Sequence, residues 1–228
     1  MAKQEQRDPI AVGSGEPPRK RRGLGLGGQM LFGLLVGTAM ATGSAADIKR
    51  VLADPKSFSA SVESGRRLAS FCFNCHGEDG HSRIPETPNI AGQNAVYLHE
   101  QIRKFANGER RNDFMQGLTR ALSEDERINV AIYFAAQKAY PASANAGPVA
   151  AAGANLFRRT CANCHGEAGH GKDEIPRVAG QHGIYLTRAL SAYRAKDGTR
   201  GDPRMSAVAA ALSDQEIASL AAYLSALP

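Results

Sequence analysis

The sequence predicts an all-α protein made of one small helical unit written twice, and three observations carry that expectation. First, Phe71–Gly80 (FCFNCHGEDG) returns as Thr160–Gly169 (TCANCHGEAG) at an offset of 89, and Asn89–Leu98 (NIAGQNAVYL) returns as Arg177–Leu186 (RVAGQHGIYL) at 88. Met115-x7-Ser123 then matches Met205-x7-Ser213 at 90, and Tyr133 falls on Tyr223. Ordered matches whose offsets drift by a residue or two mean duplication with small loop changes. Second, Ser123-Glu124-Asp125-Glu126 and Ser213-Asp214-Gln215-Glu216 both fit a capping box, with Ser as N-cap and Glu at the third helical position. Third, no stretch alternates apolar and polar residues as a half-buried strand would.

In chain order, residues 1–46 read as a targeting segment. Lys20, Arg21 and Arg22 close a polar stretch, and the next charge is Asp47. Between them lies the apolar core Met30–Ala41 (MLFGLLVGTAMA), followed by the small residues Ser44-Ala45-Ala46. Positive flank, short apolar core and small-residue end are the parts of a secretory signal. The competing reading is a retained N-terminal membrane anchor, because the charge-free run Gly23–Ala46 is 24 residues long, although seven glycines dilute it. On either reading the remainder is exported.

The first unit spans 47–140. Its helices are expected to run into Cys72, to begin near Val96, and to follow Ser123 with Val130, Ala131 and Phe134 on the buried side. Pro141–Ala152 (PASANAGPVAAA) is almost wholly Pro, Gly, Ala and Ser and reads as a linker. The second unit, 153–228, repeats the plan, with a helix into Cys161, another near Ile184, and a last one carrying Ile217, Leu220, Ala221 and Leu224. Units of this size bury little surface and gain from a bound group that fills the core.

Composition narrows the function classes. The chain is 43% apolar and 22% charged, an ordinary globular mix. Residues 47–228 carry 22 Lys/Arg against 19 Asp/Glu, so the main body lacks the concentrated basic face of a nucleic-acid binder. Four cysteines in 228 residues are too few for a disulfide scaffold.

Their spacing assigns them instead. Cys72-x-x-Cys75-His76 and Cys161-x-x-Cys164-His165 have the spacing that attaches c-type haem: two thiols each add to a vinyl group of one porphyrin, and the adjacent histidine ligates iron. A zinc site would place its two CxxC halves 15–20 residues apart, whereas 85 residues separate Cys75 from Cys161. A thioredoxin-like dithiol needs a βαβ setting, and none is visible. Five methionines supply the sixth ligand by elimination: Met1, Met30 and Met40 lie in the leader, leaving Met115 and Met205, 39 and 40 residues past their haem histidines. Against the plain reading as core fillers, their matched positions favour iron ligation.

His81 and His170 follow the proximal histidines by five residues, too near to reach the opposite haem face, and read as solvated loop residues. His99 aligns with Thr187 and His182 with Asn94, so neither explains both copies. Pro88 and Pro176 could offer a carbonyl to the second nitrogen of the haem histidine, or be plain turn prolines. Tyr97, Tyr185, Gln93 and Gln181 either reach haem propionates or simply pack.

From about residue 60 to the C-terminus the chain resembles the dihaem cytochromes c of the cytochrome c4 family. The likeness rests on CxxCHGExG, then P-x-I/V-AGQ-x3-YL, then the Met and the LS-capped final helix, complete in both copies. The resemblance implies two tandem class I cytochrome c domains about a pseudo-twofold axis, each around one covalently bound haem. It further implies a periplasmic, often membrane-associated carrier passing electrons from a quinol-oxidising complex to a terminal oxidase. The departure from the family is the N-terminus, where about twenty polar or charged residues precede the apolar core.

Three functions compete on these residues. His/Met coordination fills both axial positions, which suits an electron carrier. A dihaem peroxidase-like enzyme needs an open iron, yet each repeat has its own methionine. An electron-relay subunit bound to one oxidoreductase would use the same residues as the carrier.

Overall fold

The computed structural model describes residues 45–144 and 147–228, and the predicted leader lies outside them except for its last two residues. The described chain is helical. Helix α1 spans Ala45–Ala53 and α2 Pro55–Leu68; a 3₁₀ turn at Ala69–Phe71 leads into the single-turn α3, Phe73–His76. Helices α4 (Ala95–Asn107), α5 (Asp113–Arg120) and α6 (Glu124–Ala135) complete the first repeat. The second repeats them as α7 (Ala150–Thr160), α8 (Ala162–His165), α9 (Gly183–Ala195), α10 (Pro203–Ala209) and α11 (Asp214–Ala226). One isolated bridge, Lys172–Ile175, is the β pairing found among the described residues. No described helix is long and apolar enough to cross a membrane.

Local chemistry sets the helix ends. Both capping boxes form: Ser123 and Ser213 accept the backbone N–H of Glu126 and Glu216, whose carboxylates accept the serine N–H in return. Asp54 and Asp202 cap α2 and α10, each followed by a proline at the first helical position, where its missing N–H costs nothing. Helix α7 begins at Ala150, so the last three residues of the stretch expected as linker are helical. Alanine is the strongest helix former, and the buried Ala150 gains from joining the helix.

Helix α2 crosses α6, and α7 crosses α11, at a glycine. A Cβ on Gly65 would lie 2.1 Å from the Asn129 carbonyl oxygen, and one on Gly153 would lie 2.0 Å from that of Ser219. Only hydrogen fits there, which is why α2 meets α6, and α7 meets α11, at backbone distance. Around these crossings the repeats bury Phe134, Leu98, Val130 and Tyr133 on one side and Phe157, Leu186, Ile217, Leu220 and Leu224 on the other. Each buried Leu, Ile or Phe contributes about 1.5–3 kcal/mol. Helix α1 has no counterpart in the second repeat. Its Ile48 is fully buried against Ala95, Val96, Ile128 and Ile132 and extends the first core.

Candidate functional site

In each repeat the attachment motif is one helical turn. The His76 N–H donates to the Cys72 carbonyl at 2.9 Å, and the His165 N–H to that of Cys161 at 3.0 Å. Residues spaced i, i+3 and i+4 then share a face, so both thiols and the imidazole point the same way. Gly77 and Gly166, both at φ 77°, end the turn at once, a conformation that side-chain-bearing residues rarely adopt.

Both imidazoles are buried, His76 8% and His165 7% exposed. Their Nδ1–H groups donate to the carbonyls of Pro88 and Pro176, each at 2.9 Å. That bond fixes the tautomer and leaves Nε2 as the electron-pair donor for a metal. Burial is the main cause that lowers both histidines below their ordinary value, and the proline carbonyls oppose it. Burial also pushes the Cys72 thiol up, and that of Cys161 to about 11.

The methionines sit in the first turns of α5 and α10, each with its backbone N–H held by an N-cap. Asn112 Oδ1 accepts from Met115 at 2.9 Å, and Asp202 Oδ1 from Met205 at 3.2 Å. A cavity of about 550 Å³, lined by both repeats, brings together Cys161, Cys164, His165 and Met205 of the second. In the first, Cys72, Cys75 and His76 share the α3 turn and Met115 stands on α5, the matching elements.

The glutamines do neither of the things expected of them. Gln93 Nε2–H donates to the Arg177 carbonyl and its Oε1 accepts the Arg177 N–H, both at 2.8 Å. Gln181 does the same to Asn89, again with both bonds at 2.8 Å. They join the repeats. His182 Nε2–H likewise donates across to the Ser82 carbonyl at 2.9 Å, while Asn94 donates to Ile175 at 2.7 Å. His99 is buried against Glu124 at 2.5 Å. His81 is not a solvated loop residue: its Nε2 accepts the Tyr140 N–H at 3.2 Å and its ring lies 5.0 Å from that of Tyr140. Tyr140 returns over the loop after the haem histidine and shields it. His170 is exposed, as expected, with its Nε2–H on the Pro228 carbonyl.

A cytochrome c family model matches residues 150–228. Cytochrome c4 of Pseudomonas aeruginosa is 36% identical over 177 residues, which cover 72% of this chain and 87% of that protein. The chain belongs to the cytochrome c4 family. The crystal structure of reduced cytochrome c4 from Pseudomonas stutzeri superposes with a TM-score of 0.68 at 32% identity, covering 73% of this chain and 98% of that one. A protein of Thiomonas intermedia described as a thiosulfate dehydrogenase electron acceptor is 34% identical over 175 residues, 70% of this chain and 80% of that one. The chain is thus an electron-transfer protein of two c-type domains, with two covalently bound haems c.

Membership puts a further feature of this cytochrome in context. Arg110 and Arg200 occupy the same position in the two repeats, five residues before each methionine. Both line the cavity at the second site, although Arg110 belongs to the first repeat. Their guanidinium groups converge on the Tyr185 hydroxyl, at 3.1 and 2.7 Å. Among the described residues neither has a carboxylate within ion-pair distance. Burial works against an ionised Tyr185, yet Arg200 and Arg110 outweigh it and hold its hydroxyl below the ordinary phenol value, whereas burial pushes Tyr97 up. Half-buried cations without counter-charge fit a ligand that carries carboxylates, as haem does through its propionates. The residues present therefore fit the group. The sequence reading overlooked these arginines and the two N-caps. The signal that would have found them is their recurrence at a fixed distance before each methionine.

Proposed function

We propose that the protein is a periplasmic electron carrier between a quinol-oxidising complex and a terminal oxidase. Domain one would span 47–140 and domain two would start with α7. In this reading Cys72 and Cys75, and Cys161 and Cys164, anchor the two haems. His76 and Met115, and His165 and Met205, are the axial ligands. Haem so bound supplies one-electron exchange between ferric and ferrous iron without making or breaking a bond to substrate.

The observation that supports this reading is the repetition of one set of donor residues. Each repeat presents a histidine whose Nδ1 is tied to a proline carbonyl, together with its own capped methionine. A histidine and a methionine on each iron would leave no position for a substrate, and the weakly donating methionine sulfur would raise the potential into a carrier's range. The protein's residues hold the ligand tautomer and keep water away from the imidazoles, and Arg110 and Arg200 would be available to neutralise haem propionates. The leader, lying before Asp47, supports export.

The test is reduction of the purified holoprotein by a quinol-oxidising complex and its reoxidation by a terminal oxidase, followed at the haem bands. Low-spin spectra with a sulfur–iron band and turnover in both directions are expected. A high-spin iron, or peroxide consumption, would overturn the reading.

A second reading has a specific observation behind it, the likeness to a thiosulfate dehydrogenase electron acceptor. In that case the same two haems take electrons from an inorganic-sulfur dehydrogenase. Reduction by such an enzyme with thiosulfate, at rates exceeding those with the quinol-oxidising complex, would favour it.

A further inference from the structure

We propose that Phe71 and Phe114 form the docking face for a redox-protein partner whose own cofactor edge is ringed by uncharged apolar side chains. The first haem, not the second, is then the port for that partner. The inference rests on the carrier reading above and deepens it.

Phe71 and Phe114 are the two most exposed large apolar side chains among the described residues, at 73% and 65%. A single exposed apolar residue means little. These two, however, are the chain neighbours of Cys72 and Met115, the residues that hold two sides of one haem in the proposed function. The matching positions in the second repeat are Thr160 and Arg204. The duplication has therefore kept the ligands and exchanged what surrounds them.

Flanking residues follow the same division. Segments 69–76 and 112–117 carry one formal charge, on Asp113. Their counterparts, 158–165 and 202–207, carry four: Arg158, Arg159, Asp202 and Arg204. The three arginines are exposed. The basic residue adjoining these segments in the chain, Arg111, is turned to the second repeat, with its backbone N–H on the Thr199 carbonyl and its guanidinium beside Gly198.

Charge complementarity selects the partner. A strongly charged partner docked on the phenylalanines would lose hydration and find almost no opposite charge in return. An uncharged apolar rim removes both faces from water at no such cost. The second rim has the reverse preference, because docking there must desolvate Arg158 and Arg159, which have no ion-pair partner among the described residues, beside the Arg204–Asp202 pair, unless the partner supplies carboxylates.

The test uses the full holoprotein on gold electrodes coated with methyl-terminated or carboxylate-terminated alkanethiol monolayers, the first haem being assigned by the shift of its wave in Met115→His. Rapid exchange by the first haem is expected on the methyl surface. The double variant Phe71→Thr, Phe114→Arg, which installs the second repeat's residues, should slow that exchange about tenfold. Its visible spectrum and the second haem's exchange on the carboxylate surface should stay unchanged. The Phe71→Leu, Phe114→Leu variant should retain most of the rate.

Undiminished exchange in the Thr/Arg variant would overturn the inference, as would an equal loss in Arg158→Gln, Arg159→Gln. Loss of the sulfur–iron band in the Thr/Arg variant would overturn it as well, by showing that the pair acts on ligation. If sedimentation showed a dimer that the variant dissociates, the occupant would be a second copy. If phosphatidylcholine vesicles bound the wild type alone, the occupant would be lipid; either result refutes the proposed partner. Wild-type protein that exchanged electrons on neither surface would overturn the carrier reading together with this one.

Discussion

Gln93 and Gln181 hold equivalent places in the two repeats, and each grips the other repeat's backbone just after its haem-histidine proline. Gln93 takes both the N–H and the C=O of Arg177, and Gln181 takes those of Asn89. Pro176 and Pro88 precede those residues and receive the His165 and His76 bonds. The clamp that joins the repeats thus borders the bond that orients each imidazole. Replacing either glutamine by alanine removes two cross-repeat hydrogen bonds from buried groups, a loss of about 1–3 kcal/mol. Thermal melting should show lower stability in each variant and a positive coupling between them in the double-mutant cycle.

Gly65→Ala and Gly153→Ala should each destabilise their own repeat by about 3 kcal/mol or more, because the new methyl meets backbone rather than a side chain that could move. Circular dichroism and haem-band melting would read this. Gly117→Ala serves as control, since nothing lies within 4 Å of a Cβ there.

Met115→His and Met205→His should each lower the potential of one haem and halve the sulfur–iron band, leaving the other haem unchanged. Potentiometric titration with parallel spectra measures both. A band untouched by Met115→Ala would mean that another residue holds that position.

Arg110→Leu and Arg200→Leu should lower haem potential, on the order of tens of millivolts, since loss of a nearby cation disfavours the reduced, less positive state. Arg110→Leu should in addition weaken the association of the repeats, because Arg110 of the first repeat crosses to Tyr185 of the second, whereas the Arg200 bond to Tyr185 stays within one repeat. Redox titration separates the first effect from the second.

Acid should weaken the last helix of each repeat through its cap. Glu126 and Glu216 are held below the ordinary carboxylate range, chiefly by the backbone N–H of Ser123 and Ser213. A carboxylate lowered by folding contributes stability above its unfolded value, and that contribution is lost as pH falls through the lower folded one. Glu126→Gln and Glu216→Gln keep a hydrogen-bonding side chain but cannot titrate, so their stability should fall less steeply on acidification. Denaturant midpoints across an acid series would show the difference.

Several features were legible because they are local or repeated. The haem attachment motifs lie within one helical turn, the capping boxes span four residues, and the duplication shows by matching the chain against itself. The glutamines were ambiguous for the opposite reason. Gln93 and Arg177 are 84 residues apart, and no pattern near Gln93 says whether its carboxamide meets a propionate, solvent or another backbone. His81 misled in the same way, since the Tyr140 that covers it is 59 residues away.

The all-α class, the duplication, the two covalent haems and the capped start of each repeat's last helix follow from the amino-acid order alone, because each depends on residues that interact within a turn or on one unit copied twice. Which surfaces meet emerges only on packing. It placed Arg110 beside the second repeat's Tyr185, gave the glutamines to the opposite backbone, and left Phe71 and Phe114 exposed. Those outcomes depend on distances between segments far apart in the chain, fixed only when two helical units pack against each other and satisfy their buried polar groups together.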